Sequence, residues 1–208
     1  MVSQLDLSSN ELCGLDRGGR GTYTAEGITA IADALRVNVG LTKISLAGNK
    51  LGEEGTKAIC EALKQNKILK ELDLSGYVGY VGSNIGGAAG AKHVADMLGV
   101  NSALTVANLL GNQLDVESTK MLAEVAKQKG ISLCGIQRDQ ATADFCNKRL
   151  QPPDAILLAS DLSQAVVTGT LTSVDLSRNH LTDHGRDMTG AKELAAALDV
   201  NGALTKME

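Results

Sequence analysis

The chain has 208 residues, 43% apolar but only 2% aromatic, with 23 Gly, 2 Pro and a formal net charge of −4. That composition argues against collagen-like or disordered character and requires a core of Leu, Ile, Val and Ala. The lack of a long basic run disfavours nucleic-acid binding by phosphate neutralisation, and no apolar run is long enough for a membrane span. Residues 1–10 lack the basic and apolar blocks of a signal peptide. Cysteines at 13, 60, 134 and 146 form no CxxC and read as reduced thiols of a cytoplasmic chain, with a Cys134–Cys146 bridge in a secreted chain as the alternative.

Taken in chain order, two alternating patterns account for most of the sequence. The first, L-x-x-L-x-L-x-x-N-x-L, opens at Val2, Leu5, Leu7, Asn10 and Leu12. It returns as Leu41, Ile44, Leu46, Asn49, Leu51, and as Leu104, Ala107, Leu109, Asn112, Leu114. Leu171, Val174, Leu176, Asn179 and Leu181 complete another copy. A copy beginning Leu69, Leu72, Leu74 runs into an insertion, and a degenerate one holds Ala143, Phe145 and Leu150 with Lys148 in place of Asn. A last copy opens at Leu204 and Met207. The second pattern is Gly, Leu eight residues on, then Asn and Leu at steps of three. It reads Gly27, Leu35, Asn38, Leu41, then Gly55, Leu63, Asn66, Leu69, and recurs from Gly90 and Gly190.

The alternation of L-x-L predicts a strand with one buried face. The Asn amide after it is suited to bond backbone groups where the chain turns away, and stacked copies would form a ladder. Between Gly and the second Asn, apolar residues fall at helical spacing, as with Ile59 and Leu63, or Val94, Ala95 and Leu98. Each unit is therefore strand, turn, helix, turn. The N-x-L-G-x-x-G link of Asn49–Gly55 and the A-L-x-x-N-x-x-L helix exit resemble the ribonuclease-inhibitor-like class of leucine-rich repeats. That class includes the repeat domains of NOD-like receptors and of the Ran GTPase-activating protein. The resemblance implies an α/β solenoid, a horseshoe with parallel strands on the concave face and helices on the convex face. It implies one domain over residues 1–208, with about six repeats and the start of a seventh. The patterns start and stop mid-unit, without polar capping repeats, so the expectation is a fragment of a longer array, or ends covered by self-association.

The repeat is broken in a few places. Strand-to-strand spacing is 28 residues from Leu46 to Leu74, but 39 from Leu7 to Leu46, 35 from Leu74 to Leu109 and 31 from Phe145 to Leu176. The extra residues lie near 13–25, 76–87 and 183–189, each just after a strand, hence on one rim. Insertions on one face often mark a binding face. They hold Arg17, Arg20, Tyr23, Tyr77, Tyr80 and Arg186, residue types favoured at binding hot spots. Local loop packing is the competing reading for the tyrosines. Around 129–153, Ile131, Leu133 and Ile136 suggest either an extra strand at the rim, the preferred reading, or a hinge between two sub-arrays. Asp154–Ala165 reads as helix.

The outward strand residues form a mildly negative concave face, with Asp6, Glu71, Asp73, Asn108, Asp144 and Asp175 against Lys43 and Lys206. A partner with a basic surface fits that face; a row of solvated strand residues is the alternative. His180 and His184 fall in a turn where Leu181 must be buried, and H-E-x-x-H is absent, so no metal is expected. The glycine runs lack a phosphate-loop signature, and no cofactor is expected. Cys60 reads as a small buried apolar residue. The resulting expectation is a non-enzymatic scaffold or recognition module for another protein. The alternative, implied by the resemblance to the Ran regulator, is a GTPase-activating protein; Arg17 and Arg20 would be its candidate arginine fingers, but no catalytic role is assigned to them. A structural spacer is the third reading.

Overall fold

The computed structural model of the chain describes residues 2–76 and 82–207. Its strands are short: β1 (Gln4–Asp6), β2 (Lys43–Ser45), β3 (Glu71–Asp73), β4 (Val106–Asn108), β5 (Thr142–Asp144), β6 (Ser173–Asp175) and β7 (Lys206–Met207). They alternate with α1 (Glu26–Val37), α2 (Gly52–Leu63), α3 (Gly87–Val100), α4 (Val116–Lys129), α5 (Pro152–Leu162), the four-residue α6 (Ala165–Thr168) and α7 (Thr189–Val200). β1 to β4 pair in parallel in chain order, and so do β5 to β7. The register sets Leu5, Ile44, Leu72 and Ala107 side by side, as the repeat spacing requires. The helices pack in sequence, α1 on α2 through to α4 on α5, with α5 on α7. Leu, Ile, Val and Ala fill the space between the two layers, and the one phenylalanine, Phe145, is buried among them. Leu5 has a strand on one side only and stays 38% exposed.

The signature asparagines form the expected ladder. Asn49 lies fully buried; its amide donates to the carbonyls of Leu7, Leu46 and Ala47, and its Oδ1 accepts from the backbone of Asn10 and Leu12. Asn112 donates to Leu74 and Leu109 and accepts from Asn84 and Ile85. Asn84 is therefore the ladder residue of the third repeat, set ten positions after Leu74 because the second insertion intervenes. A second ladder runs along the opposite edge, where helices end. Asn66, Asn101 and Asn201 donate to the carbonyls of Leu35, Leu63 and Leu162 in the preceding helix, 2.6–2.9 Å away. Each also accepts from two backbone N–H groups at the next strand's approach. Both ladders satisfy turn groups that the aliphatic interior cannot.

The recurring glycine has a steric cause. A Cβ at Gly55 would lie 2.9 Å from Ile28 Cγ2, and one at Gly190 would lie 2.6 Å from Ala155 Cβ. Helices α2 and α7 thus start close against the helix of the preceding repeat, and only glycine leaves room there.

The region 129–153 departs from the expectation of an extra strand at the rim. Ser132 bridges Val106 in parallel, Leu109 donates to the carbonyl of Leu133, and Ser132 donates to that of Thr105. The segment thus extends the first sheet as a broken strand. Among the described residues, no strand pairing joins β4 to β5. Helix α5 starts at Pro152, where the proline pair allows a helix to begin, because Pro suits the first helical position, and Gln151 and Asp154 close a capping box. It ends at Leu162, with Ser163 as its C-cap, and the chain resumes as α6.

Two buried carboxylates of α5 bind the break. Asp154 accepts from Gly111 N (2.7 Å) and Gln151 N (2.8 Å). Asp161, seven residues on and so on the same helix face, accepts from Ser132 Oγ (2.7 Å), Leu133 N (2.7 Å) and Cys134 N (3.0 Å). These bonds hold down both acid pKa values, but burial outweighs them: Asp154 is raised, and Asp161 is pushed up to about 6.

Asn112→Ala should cost about 2–4 kcal/mol in urea unfolding, since it strands several buried partners, whereas Asn10→Ala at the exposed end should cost under about 1 kcal/mol. For Asp161 the folded pKa lies above the unfolded value. Its contribution to stability is therefore full below about pH 4, is lost as pH rises through about 6 and is flat above that. Measured against Asp161→Asn, wild-type stability should improve on acidification across that window. A pH-independent difference would show that the buried carboxylate does not carry this term.

Candidate protein-binding surface

The middle column of strand residues has one local geometry. Asp6 Oδ1 accepts from Ser8 N (2.9 Å), Asp73 from Ser75 N (2.9 Å), Asn108 from Leu110 N (3.3 Å), Asp144 from Cys146 N (2.8 Å) and Asp175 from Ser177 N (2.8 Å). Each is an Asx turn that starts the chain's exit from the strand, which explains why D-x-S recurs there. The serine partners hold Asp6 and Asp175 below the usual carboxylate range. The four aspartates of the column thus serve as turn acceptors while keeping their charge, with the carboxylates oriented by the backbone.

Lys43 and Glu71 sit on adjacent strands and pair at 2.8 Å. Glu71 also accepts from Gln137 Nε2 at 3.1 Å, and Gly135 lies against the side chain of Asn108. The loop after the broken strand therefore folds across β4 toward β3. It leaves Val106 buried and Asn108 half-buried, although both occupy outward strand positions. The strand face is consequently divided, with Asp6, Lys43, Glu71 and Asp73 on one side of this loop and Asp144 and Asp175 on the other. Nothing in the residue pattern marks Gln137 as a bridge to Glu71; that contact spans 66 residues of sequence.

The first insertion is a small, closed hairpin. Cys13 and Ala25 anchor its base in the core, Thr24 donates to Cys13 O, and Leu15 bridges Gly21 in antiparallel fashion. At its tip Asp16 accepts from Arg20 N and Arg20 Nε, both at 2.9 Å, and Arg17 and Arg20 are exposed. Tyr23 fixes the hairpin to the next repeat: its hydroxyl donates to Leu51 O (2.6 Å) and accepts from Gly55 N (3.3 Å), with the ring over Gly52. Its polar group serves local packing, while 37% of the residue remains exposed. Tyr77 and Tyr80 lie outside the described residues. Arg186 is exposed just after a 3-10 turn at Asp183–Gly185. Between the second-sheet turns and the exit of β4, a cleft of about 450 Å3 is lined by Gln113, Leu114, Arg149, Pro152, Asp183 and Asp187, where the broken repeat supplies no turn.

His180 and His184 stack with ring centroids 5.5 Å apart, and among the described residues no group of three His, Cys, Asp or Glu side chains could hold a metal. All four cysteines are free. Burial pushes the Cys13 thiol up to about 11 and Cys60 up to about 12, and raises Cys134 well above its ordinary value. These three are protonated and unreactive at neutral pH. No described helix is long and apolar enough to cross a membrane.

Parallel strands backed by helices, repeated with two asparagine ladders, define a leucine-rich-repeat solenoid. Residues 38–60 and 170–188 match the family model described as Leucine Rich repeat. The chain is 34% identical to the ribonuclease inhibitor of Sus scrofa over 163 residues, 78% of this chain and 32% of that protein. It is 33% identical to NACHT, LRR and PYD domains-containing protein 13 of Homo sapiens over 117 residues, 56% of this chain and 10% of that one. Protein 5 of the same series in Bos taurus is 29% identical over 174 residues, 84% and 14% of the two chains. A solved structure of the leiomodin-1 actin-binding site 2 aligns with a TM-score of 0.45 at 17% identity, covering 81% of this chain and 87% of that one. The chain carries the leucine-rich repeat and is similar to proteins of the ribonuclease-inhibitor-like class. It spans between a tenth and a third of the length of these curated relatives. Proteins of this class act generally in protein–protein interaction.

Tyr23→Phe should keep the ring and lose the hydroxyl bonds, lowering stability by about 1 kcal/mol. It should also speed amide exchange in residues 13–25 relative to the rest of the chain. Unchanged exchange there would mean that the hydroxyl does not tie down the hairpin.

Proposed function

We propose that this chain is a non-catalytic recognition module whose strand face binds a basic surface of another protein, flanked by the rim insertions. The observation that carries this reading is the oriented acidic column. Asp6, Asp73, Asp144 and Asp175 each have one oxygen fixed by a backbone N–H. Charges held in place by the backbone lose little freedom on binding, and a single-sign field steers an oppositely charged partner. Arg17, Arg20, Tyr23 and Arg186, in insertions that follow strands, are assigned to the rim of this face, while Tyr77 and Tyr80 lie outside the described residues. Lys43 and Glu71 neutralise each other, which leaves the aspartates as the recognition charges. The alternative, a GTPase-activating role, requires an arginine extended into a partner's site. Arg20 is instead held by Asp16 at 2.9 Å, so the recognition reading is favoured.

Asp73→Asn, Asp144→Asn and Asp175→Asn together preserve the Asx turns, because the amide oxygen still accepts, and remove three charges. For a partner captured from source extract and then purified, affinity should fall about tenfold or more, and the salt dependence should flatten. Stability should change little. Unchanged affinity would move the site to the rim, and stimulated GTP hydrolysis by a small GTPase would favour the catalytic alternative.

A further inference from the structure

The turns that leave β5 and β6 carry an exposed basic patch that the acidic strand face does not account for. Lys148, Arg149, Arg178 and Arg186 are exposed there, with His180 and His184 between them. Backbone bonds stack these turns: Asn147 N donates to Ser177 O (3.0 Å), Leu150 N to Asn179 Oδ1 (3.0 Å) and His180 N to Leu150 O (2.8 Å). Asp183 N in turn donates to His180 O (3.0 Å), which ties the third insertion to the same surface. Among the described residues, none of the four cations has a carboxylate within ion-pair distance. The acids on this rim are Asp183 and Asp187, and the latter is engaged by Thr189 N (2.8 Å).

The backbone adds a second observation. Arg178 has φ +58°, in the left-handed region, at the repeat position filled by Gly48 (φ +63°) and Gly111 (φ +73°) in the first sheet. Arg149 is also left-handed, with φ +52°. Ser9 (φ +59°) and Asn147 (φ +57°) fill the position of Arg178 in other repeats, and Glu11, Lys50 and Gln113 fill that of Arg149, so both arginines sit at fixed, recurring turn positions.

We propose that this rim is a docking surface for an acidic segment of a protein partner, with Arg149 and Arg178 as its principal contacts. Guanidinium groups on adjacent turns offer paired donors to carboxylates. A continuous nucleic-acid phosphate backbone would need a longer run of cations than these four residues supply, and the chain as a whole carries a net charge of −4. The surface is independent of the strand-face reading above.

The test is fluorescence anisotropy of the full chain with a labelled Glu-rich peptide, a Lys-rich peptide and a single-stranded oligonucleotide of matched charge. The Glu-rich peptide should bind best and weaken as salt rises from about 50 to about 200 mM. Arg149→Glu with Arg178→Glu should cost about tenfold or more. Arg149→Gln with Arg178→Gln, a gentler change, should give a smaller loss with the melting temperature kept. Lys127→Glu with Lys129→Glu on α4 should have no effect, and neither should the triple aspartate variant abolish binding. Equal binding by wild type and both arginine variants overturns the proposal. So does tighter binding of the oligonucleotide that is lost with the same arginines, which would make the patch a polyanion site.

Discussion

Burying a turn in an aliphatic solenoid leaves backbone donors and acceptors with no water to bond, and the rest of this architecture depends on how that demand is met. With an aliphatic core that offers these groups no partners, the chain meets the demand chiefly with asparagine. An amide both donates and accepts, so one side chain at each turn can bond its own repeat and its neighbour at once. Asn49 does so toward Leu7 and Leu46, and Asn101 does so toward Leu63 and Asn66 on the other edge. The ladders tie successive units at a fixed spacing. That spacing holds the middle strand residues in one column, so the candidate surface is a by-product of turn satisfaction.

Where the asparagine is missing, acids replace it, with different consequences. An aspartate accepts but does not donate, so Asp154 and Asp161 serve only backbone N–H groups and the Ser132 hydroxyl. They hold the broken repeat to α5 without rebuilding a strand ladder, and the sheet divides there. Unlike an amide, such a tie titrates. Burial of Asp161 without a nearby cation puts that titration near physiological pH rather than in the usual carboxylate range. The same break lets the loop through Gly135 and Gln137 fold over the first sheet, so one local departure shapes the turn chemistry, the sheet and the exposed face together.

Charge is distributed by the same logic. Aspartates at strand exits are selected twice, as Asx-turn acceptors and as charges, which makes the strand face acidic without a dedicated site. The cations lie one step further along, on the turns themselves. Arg178 and Arg149 sit in left-handed backbone there. An acidic face bordered by a basic rim suits a partner whose own surface changes sign across the contact.

By itself, the sequence determined the repeat unit, the strand and helix order, the aliphatic core and the ladder positions Asn49, Asn112 and Asn179. These follow from local periodicity and from the backbone's demand for partners, both of which are written within a single repeat. It also located each insertion just after a strand, from the excess over the 28-residue spacing. Asn84 escaped that reading because the insertion displaced it from the usual spacing, though an asparagine followed by Ile85 was a signal within reach. Only the tertiary structure decided that the segment at 131–136 joins the first sheet, that Gln137 reaches Glu71, that Tyr23 bonds Leu51 and that the Arg149 and Arg178 turns stack. Each of these depends on groups more than 20 residues apart in sequence meeting in a shape that no single repeat specifies.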